Sequence, residues 1–556
     1  MNYDISRLTI EEKIGQLLMF GIEGVDITDH AIHLIKELKV GNIILFARNA
    51  KDPKQLFTLN QSLQKLAHET LGIPMFISID QEGGMVTRIF HGATFFPGAM
   101  TLSAAGSLDD AYKMGDFMGE ELLALGVNMN LAPVLDVNNN PKNPVIGVRS
   151  YSDDPIRVAD YGIQYIKGLQ NHIFATGKHF PGHGDTHLDS HLALPSVDYP
   201  LERLEAIELV PFKRAIKEGI GALMSSHINF PAFTEEGRPT TLSKKCLTGF
   251  LRETLGFEGL IVTDGMEMKA IQDHYGTVEA SLMSIQAGAN LVCICHSEPL
   301  QIEAIQRIKH AIETNELPLD VLDERVKRVL DTKSKLKPID LEKPYEAIKH
   351  HVENKEHQAF SYHIVKKALT LVKGEPLKLK ASALFIGMLP KATTQADDTD
   401  GLYDIVAHIH KELPKLKTQR VPIIPSEDDI SFVIEQAKDV DQIIMTSYNA
   451  NIYPSQIKLI DELSKLGKDL HVIAMRNPFD LYYTEHIQNY VCLYEYTPNS
   501  IRVLLGYLKG DLRLEGRIPV HYEPLHSRHW WWGNNHIRCT LWWTGERNWT
   551  CWIWVF

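Results

Sequence analysis

The sequence predicts an α/β protein in which an N-terminal (β/α)8 barrel of the TIM type precedes a smaller open-sheet α/β domain. Eight short apolar runs alternate with amphipathic segments, such as residues 201–219, over the first 335 residues or so. The runs are rich in Ile, Val, Leu and Met on both faces, as in strands of a buried parallel sheet. A doubly wound open sheet is the structural alternative, and the polar residues that end several runs favour the barrel.

The eight runs lie at residues 16–22, 41–47, 74–80, 129–137, 176–180, 222–228, 259–265 and 291–297. Five of them finish at a charged or imidazole side chain, and these residues are Asp80, Asp136, Lys178 with His179, His227 and Asp264. Polar residues can simply mark where strands stop, which would be sufficient for one or two runs. Because barrel active sites are built at the C-terminal ends of the strands, five such ends favour an active site.

The length of 556 residues exceeds what one hydrophobic core usually supports, so more than one domain is expected. We assign the barrel to residues 1–335 and a charged linker with two prolines to residues 336–360. A second pattern of apolar runs follows at residues 368–373, 382–389, 441–449, 470–478 and 490–496. This pattern predicts a C-terminal α/β sandwich domain over residues 361–523.

The composition changes abruptly in residues 524–556. All eight tryptophans of the chain lie between positions 530 and 554, together with two of its six cysteines. Their spacing fits neither a strand nor a helix. We interpret the segment as a frameshifted or read-through tail, or a disordered one, and an aromatic platform for sugars is the alternative. An unbroken reading frame at the 3′ end of the gene would contradict the frameshift.

Composition and charge argue against several classes of protein, namely nucleic-acid-binding, membrane and disulfide-rich secreted proteins. The net charge of −13 disfavours nonspecific binding to nucleic acid or to an anionic membrane. The sparse cysteines show neither zinc spacing nor a disulfide framework, which fits a reducing compartment. Residues 1–20 lack the features of a signal peptide, and no apolar run approaches the roughly 20 residues that span a bilayer. We therefore predict a cytoplasmic protein that requires no cofactor.

Four histidines follow one another at intervals of four residues in GKHFPGHGDTHLDSH, at positions 179, 183, 187 and 191. On a helix they would form one stripe, but Pro181, Gly182 and Gly184 make a helix unfavourable. The stretch is therefore predicted to be the end of a strand followed by a long loop. A zinc site that also uses Asp185 and Asp189 is one alternative, and purely structural histidines are another.

The end of this loop offers a proton-transfer pair. In Asp189-Ser-His191 the carboxylate can hold one ring nitrogen and stabilise the imidazolium, so that the other nitrogen gives and takes a proton near neutral pH. A double-displacement hydrolase also needs a nucleophile. Asp264 is suited to that role, because it ends the seventh run and Gly265 lets the chain turn away.

The motifs KHFPGHGDTHLDSH, IDQEGGMVTR (79–88), LAPVLDVN (131–138) and IVTDGMEM (261–268) resemble family 3 of the glycoside hydrolases. The Asp-Ser-His element resembles the β-N-acetylglucosaminidase (β-hexosaminidase) branch of that family. The resemblance extends from about residue 5 to about residue 523. In the second domain, AMRNPFDL (474–481) and the GRIPV ending look like the two-domain form of Gram-positive bacteria.

The resemblance implies roles for matching positions. Asp264 matches the catalytic nucleophile, His191 the general acid/base and Asp189 its partner. The positions that match sugar-binding residues are Asp80, Arg88, Arg149, Lys178 and His179. The structural alternative is a helix cap for Asp80 and loop ion pairs for Arg88 and Arg149. His183, Asp185 and His187 are expected to be loop scaffold, and His227 to support the site indirectly.

The implied activity is that of a retaining exo-β-N-acetylglucosaminidase with a covalent glycosyl-Asp264 intermediate. The implied substrate is a terminal β-linked N-acetylglucosamine (GlcNAc), as in peptidoglycan fragments with N-acetylmuramic acid, which places the step in cell-wall recycling. A phosphorylase or a β-glucosidase using the same site is the nearest alternative. A metal-dependent barrel hydrolase and a sugar-binding protein without turnover are more distant ones.

Overall fold

The structure, a computed structural model, describes residues 3–186, 194–338, 340–352, 354–389 and 403–522, together with the backbone of residues 537–543 and 549–555. Asp189, His191 and His187 lie outside the described residues.

Eight parallel strands close into a barrel in the order in which they occur along the chain, with the last strand paired to the first. Each overlaps one of the eight predicted runs, so the predicted barrel is confirmed. The strands are β1 Leu18–Gly21, β2 Asn42–Leu45, β3 Phe76–Ile79, β4 Met129–Asn130, β5 Phe174–Phe180, β6 Ala222–Ser225, β7 Leu260–Gly265 and β8 Leu291–Ile294.

Helices surround the strands and bury their outer faces. They are α1 Ile10–Gln16, α2 Asp29–Lys36, α3 Pro53–Leu71, α4 Ala99–Ala105, α5 Leu108–Ala124, α6 Pro155–Leu169, α7 Leu201–Ala206, α8 Leu209–Lys217, α9 Lys269–Tyr275, α10 Thr277–Ala287, α11 Glu298–Glu313 and α12 Leu319–Lys333, with a π-helix at Lys245–Thr254. Local sequence fixes several ends: Asp52 and Asp154 accept hydrogen bonds from the first turns of α3 and α6, and a proline starts each of these helices.

The second domain is an open six-stranded sheet with helices packed on it, which confirms the predicted class. A short helix, α13 Lys349–Val352, lies in the predicted linker and packs on α5. The elements that follow are α14 Lys355–Ala368, β9 Thr370–Lys373, β10 Ala383–Leu389, α15 Ile405–Glu412, β11 Lys417–Pro422, α16 Glu427–Ala437, β12 Gln442–Ser447, α17 Pro454–Ser464, β13 Asp469–Ala474, β14 Asn489–Cys492 and α18 Pro498–Leu508. The strand order is β11-β10-β12-β13-β14-β9, and β9 alone runs antiparallel to its neighbour. Five of the strands overlap the predicted runs, whereas β11 was not predicted.

Beyond residue 522 the structure describes a two-stranded antiparallel hairpin, β15 Ile537–Trp543 with β16 Trp549–Val555. The frameshift hypothesis for residues 524–556 and the exact domain boundaries stay predictions. No helix in the described ranges combines the length and the apolar character needed to cross a membrane.

Candidate active site

A cavity of about 150 Å³ opens at the C-terminal ends of the barrel strands. Its apolar floor includes Ile44, Leu131 and Met224. Six of the eight predicted site residues line it together: Asp80, Arg88, Arg149, Lys178, His179 and Asp264. The other two, Asp189 and His191, lie outside the described residues.

The strands bring these residues together from distant parts of the chain. Asp80 follows β3, Lys178 and His179 belong to β5, and Asp264 belongs to β7. Arg149 ends a short 3₁₀ turn, Gly147–Arg149, in the loop between β4 and α6. The site therefore has the position that is usual for a barrel enzyme.

A buried ionic network surrounds Glu82, which sequence reasoning did not single out. Arg149 donates two hydrogen bonds to the Glu82 carboxylate, at 2.8 and 2.9 Å. Lys178 Nζ lies 2.7 Å from the same carboxylate and 2.6 Å from Asp80 Oδ1. A terminal nitrogen of Arg88 lies 3.8 Å from Asp80 Oδ2. The only signal in the sequence was position, since Glu82 lies two residues after Asp80 in the motif DQEGGMVTR.

The charges of this network stabilise one another. Burial opposes ionisation of Glu82, but the charges of Arg149 and Lys178 outweigh it and hold the pKa of Glu82 well below its usual range. Burial likewise opposes protonation of Lys178, but the carboxylates of Asp80 and Glu82 outweigh it and raise the lysine's pKa. Glu82 and Lys178 are therefore ionised at neutral pH.

A second buried carboxylate, Asp136, fixes His179 and the start of the loop. Its Oδ2 accepts a hydrogen bond from His179 Nδ1 at 2.7 Å, and its Oδ1 accepts the backbone N–H groups of His179 and His183 at 3.0 and 2.7 Å. Burial opposes ionisation of Asp136, but these partners lower its pKa. The sequence placed Asp136 at a strand end without giving it this role. His179 is thereby held with its ring in the cavity wall.

His183 also lines the cavity, and its ring is hydrogen-bonded to Thr186. Burial and the charge of His179 lower the pKa of His183 to about 4. The ring is therefore neutral at pH 7, which suits the scaffold role predicted for it and not proton donation.

The tip of β7 presents Asp264 to the cavity. The backbone N–H of Gly265 donates to Asp264 Oδ1 at 2.8 Å. His227 Nε2 donates to the carbonyl of Gly265 at 3.0 Å, so the histidine contacts the tip of the strand. The Glu267 carboxylate accepts backbone N–H groups of His296 and Ser297 at 2.9 and 2.8 Å, just before α11. These contacts fix the turn that follows Asp264.

An aromatic edge completes the described wall. The rings of Phe46 and His296 lie 5.1 Å apart, and the Arg48 guanidinium lies 4.6 Å from the centre of the Phe46 ring. Burial and the nearby Arg48 lower the pKa of His296, so this ring is neutral too.

The described residues give no support to a metal centre. Among them, no group of three or more His, Cys, Asp or Glu side chains is arranged to hold an ion. His187, Asp189 and His191, which the metal hypothesis also requires, lie outside those residues, so the hypothesis stays untested.

The chain is similar to proteins of known class. β-Hexosaminidase A of Pseudoalteromonas piscicida is 37% identical over 330 residues, which cover 54% of this chain and 54% of that protein, so the chain spans about half of that relative's length. A β-hexosaminidase of Photobacterium profundum is 33% identical over 314 residues, 56% of this chain and 89% of that protein.

A solved structure extends the similarity to both domains. The glycoside hydrolase family 3 β-N-acetylglucosaminidase from Paenibacillus sp. str. FPU-7 is 36% identical, with a TM-score of 0.85 over 93% of this chain and 99% of that chain. The family model described as the N-terminal domain of glycosyl hydrolase family 3 matches residues 9–332, more than half of the sequence. The chain therefore belongs to glycoside hydrolase family 3.

Proposed function

We propose that the protein is a retaining exo-β-N-acetylglucosaminidase that removes terminal β-linked GlcNAc. The observation that carries the proposal is the cavity, in which Asp264 shares one wall with five polar residues matched to sugar binding. The names of the relatives, which are β-hexosaminidases and a β-N-acetylglucosaminidase, support this substrate class.

The buried network suits recognition of sugar hydroxyl groups. Asp80 can accept hydrogen bonds from hydroxyls, whereas Arg88, Arg149, Lys178 and His179 can donate to their oxygens. Because Glu82 and Asp136 already hold three of these side chains, little ordering is left to occur when the sugar binds. A cavity closed below by the barrel core fits a terminal sugar and not the middle of a chain.

The proposed reaction has two displacements. Asp264 attacks the anomeric carbon while His191 protonates the departing oxygen, which gives a glycosyl-Asp264 ester. His191 then removes a proton from water, which attacks the same carbon and releases the sugar. Asp189 is proposed to orient the His191 ring and to stabilise its cationic form.

The proposed physiological substrate is a peptidoglycan fragment in which GlcNAc is linked to N-acetylmuramic acid, with or without peptide. This choice rests on the family resemblance of the Asp-Ser-His element and on the predicted cytoplasmic location. Digestion of purified muropeptides, followed by mass spectrometry for loss of one N-acetylhexosamine, tests it. An enzyme that cleaves aryl GlcNAc but leaves every muropeptide intact would contradict it.

The decisive experiment compares 4-nitrophenyl β-glycosides of GlcNAc and of glucose. We expect turnover of the GlcNAc substrate, and Asp264→Asn should retain less than roughly a thousandth of it because the nucleophile is lost. Asp273→Asn, an exposed aspartate on α9, is the matched control and should behave as wild type. Substantial turnover by pure Asp264→Asn protein would refute the assigned role.

Two additions to the same assay separate the alternative activities. Inhibition by EDTA that added zinc reverses would favour a metal-dependent hydrolase. Release of a sugar 1-phosphate on addition of phosphate would favour a phosphorylase. Preference for the glucose substrate would favour a β-glucosidase.

A further inference from the structure

Two loops of the C-terminal domain contact the barrel loops that carry the cavity's ionic network. Asn477 follows β13 and Glu495 follows β14, at the carboxyl edge of the second sheet. Asn477 is hydrogen-bonded to the turn that presents Arg149. Glu495 is hydrogen-bonded to the segment that packs against the loop carrying Glu82.

Asn477 holds the 3₁₀ turn that ends at Arg149. Its side-chain oxygen accepts the backbone N–H of Val148 at 3.1 Å, and the residue is 3% exposed. The backbone of Gly147 approaches so closely that an added Cβ would lie 2.2 Å from that oxygen. Gly147 also has a φ of +47°, which favours glycine. The turn is therefore shaped to lie against Asn477.

Glu495 holds the segment that packs against the turn carrying Glu82. Its Oε2 accepts the backbone N–H of Gly98 at 2.8 Å and the hydroxyl of Thr101 at 2.7 Å. Gly98 packs on Gly84 so tightly that a Cβ added to Gly84 would lie 2.7 Å from the Gly98 Cα.

Gly84 lies in the tight turn that begins at Glu82. The backbone N–H of Glu82 donates to the carbonyl of Val86 across this turn, at 3.0 Å. The next residue after Glu495 adds a contact, since the backbone N–H of Tyr496 lies 3.2 Å from the sulfur of Met85 in the same turn. The position of the Glu82 carboxylate therefore depends on this part of the second domain.

We propose that Asn477 and Glu495 are positioning residues, which set the Glu82–Arg149 ion pair from the C-terminal domain and so fix the donors of the sugar site. The inference rests on the proposed function, because it takes Arg149 and Lys178 as sugar-binding residues. Neither Asn477 nor Glu495 lines the cavity that holds Asp264. Their effect is therefore expected through geometry and not through contact with the sugar.

The first test measures kcat, KM and the thermal midpoint of Asn477→Ala and Glu495→Ala on 4-nitrophenyl β-GlcNAc. A misplaced Arg149 should lower kcat/KM by about tenfold or more, mainly through a higher KM. Lys367→Ala is the control, because Lys367 on α14 also bridges the domains, with its Nζ 3.5 Å from Asp110 Oδ2 on α5. It removes an interdomain contact away from the network and should stay within about twofold of wild type.

A conservative variant keeps the test independent of folding. Gln at position 495 retains an oxygen for the Gly98 N–H and the Thr101 hydroxyl, and its amide can donate to the Thr497 hydroxyl that now contacts Oε1. Glu495→Gln should therefore restore most of the kcat/KM that Glu495→Ala loses. Equal losses in the two variants would overturn the proposed role of Glu495.

A double-mutant cycle tests transmission through Arg149. Lysine cannot form the bidentate pair with Glu82, so in an Arg149→Lys background Asn477→Ala should cost less than about twofold further. Fully additive losses, or a wild-type kcat/KM in Asn477→Ala, would overturn the inference. If the wild type releases no GlcNAc, both the proposed function and this inference are contradicted. If the wild type is active and the variants have the same kcat/KM, only the inference is contradicted.

Discussion

Glu82→Gln is the substitution that tests the buried network most directly. It keeps the shape of the side chain but removes the charge between Arg149 and Lys178, both of which are almost fully buried. Asp80 remains beside Lys178, at 2.6 Å, so the lysine keeps one carboxylate. Arg149 loses the carboxylate that accepts two of its N–H groups. The variant therefore takes away from a buried cation, Arg149, the charge of Glu82.

The expected loss follows from the contacts. Removing one partner of a buried pair typically costs about 3–5 kcal/mol, because the other charge is left buried. The retained Asp80–Lys178 pair and the remaining amide oxygen place Glu82→Gln near the lower limit, at about 3 kcal/mol of unfolding free energy. A shift in Arg149 should also lower kcat/KM for aryl GlcNAc by about tenfold or more.

The assay needs a probe of the barrel. All eight tryptophans lie at positions 530–554, so tryptophan fluorescence would report on the tail and not on the barrel. Unfolding in urea should instead be followed by far-UV circular dichroism. Glu495→Gln is the matched control, since burial raises the pKa of Glu495 and its hydrogen-bond donors are neutral. We expect this control to lose much less free energy.

The pH dependence has opposite signs for the two glutamates. The pKa of Glu82 is depressed in the folded protein, so its stabilising effect is present above the ordinary value of 4.5 and is lost as the pH falls below it. Glu82→Gln should therefore remove part of the loss of stability in acid. Glu495→Gln should not, because the pKa of Glu495 is raised, and its ionisation costs stability as the pH rises. Equal losses in the two variants at neutral pH, or an unchanged Glu82→Gln protein, would refute the reasoning.

Three further substitutions test other buried groups. Burial raises the pKa of Asp480 to about 7, so the folded protein should lose stability as the pH rises from 3.8 to 7. Above pH 7, Asp480→Asn should therefore be more stable than the wild type by up to about 4 kcal/mol. A difference in stability between the two proteins that stays constant from pH 4 to 8 would contradict this. In Asp136→Asn three N–H donors lose the carboxylate that accepts from them. We expect kcat/KM to fall about tenfold or more and the free energy of unfolding in urea to fall by about 2–4 kcal/mol. Wild-type values for both would exclude an orienting role for Asp136. The pKa of His183 is about 4, so its titration should not cause a fall in kcat/KM between pH 5 and 7. If the wild type shows such a fall, His183→Asn should show it at the same midpoint. Loss of the fall in the variant would show that His183 titrates in this range.

The strands of the barrel could be predicted because burial on both faces leaves an uninterrupted apolar signal. The fourth run shows the limit of that signal, since residues 129–137 are apolar but β4 is only Met129–Asn130. Pro133 has no N–H to continue the ladder, and beyond it Val134 makes only an isolated bridge with Lys178. Strand β11 was missed for the opposite reason, because Lys417–Pro422 is a largely exposed edge strand with a polar sequence.

The residues that face the cavity were easier to predict than those that hold them. Asp80, Lys178 and Asp264 lie at strand ends, and barrel geometry brings such ends together. Glu82 and Asp136 act through partners that are distant in sequence, such as Arg149 and His179. Nothing in the local sequence distinguishes a carboxylate that meets a sugar from one that meets a buried arginine. The contacts of Asn477 and Glu495 were unpredictable for the same reason, because they depend on how two domains pack.

The charge of the cavity bears on which acceptor would take the sugar from Asp264 in the proposed mechanism. In the proposed glycosyl-Asp264 ester the nucleophile carries no charge, so among the described lining residues three carboxylates face three permanent cations: Asp80, Glu82 and Glu267 against Arg88, Arg149 and Lys178. The cations are already engaged, since Arg149 and Lys178 pair with Glu82 and Arg88 lies beside Asp80. An incoming phosphate would therefore compete with carboxylates for every cation, whereas water would not. We therefore expect the described wall to favour hydrolysis over phosphorolysis, which the assay with added phosphate tests.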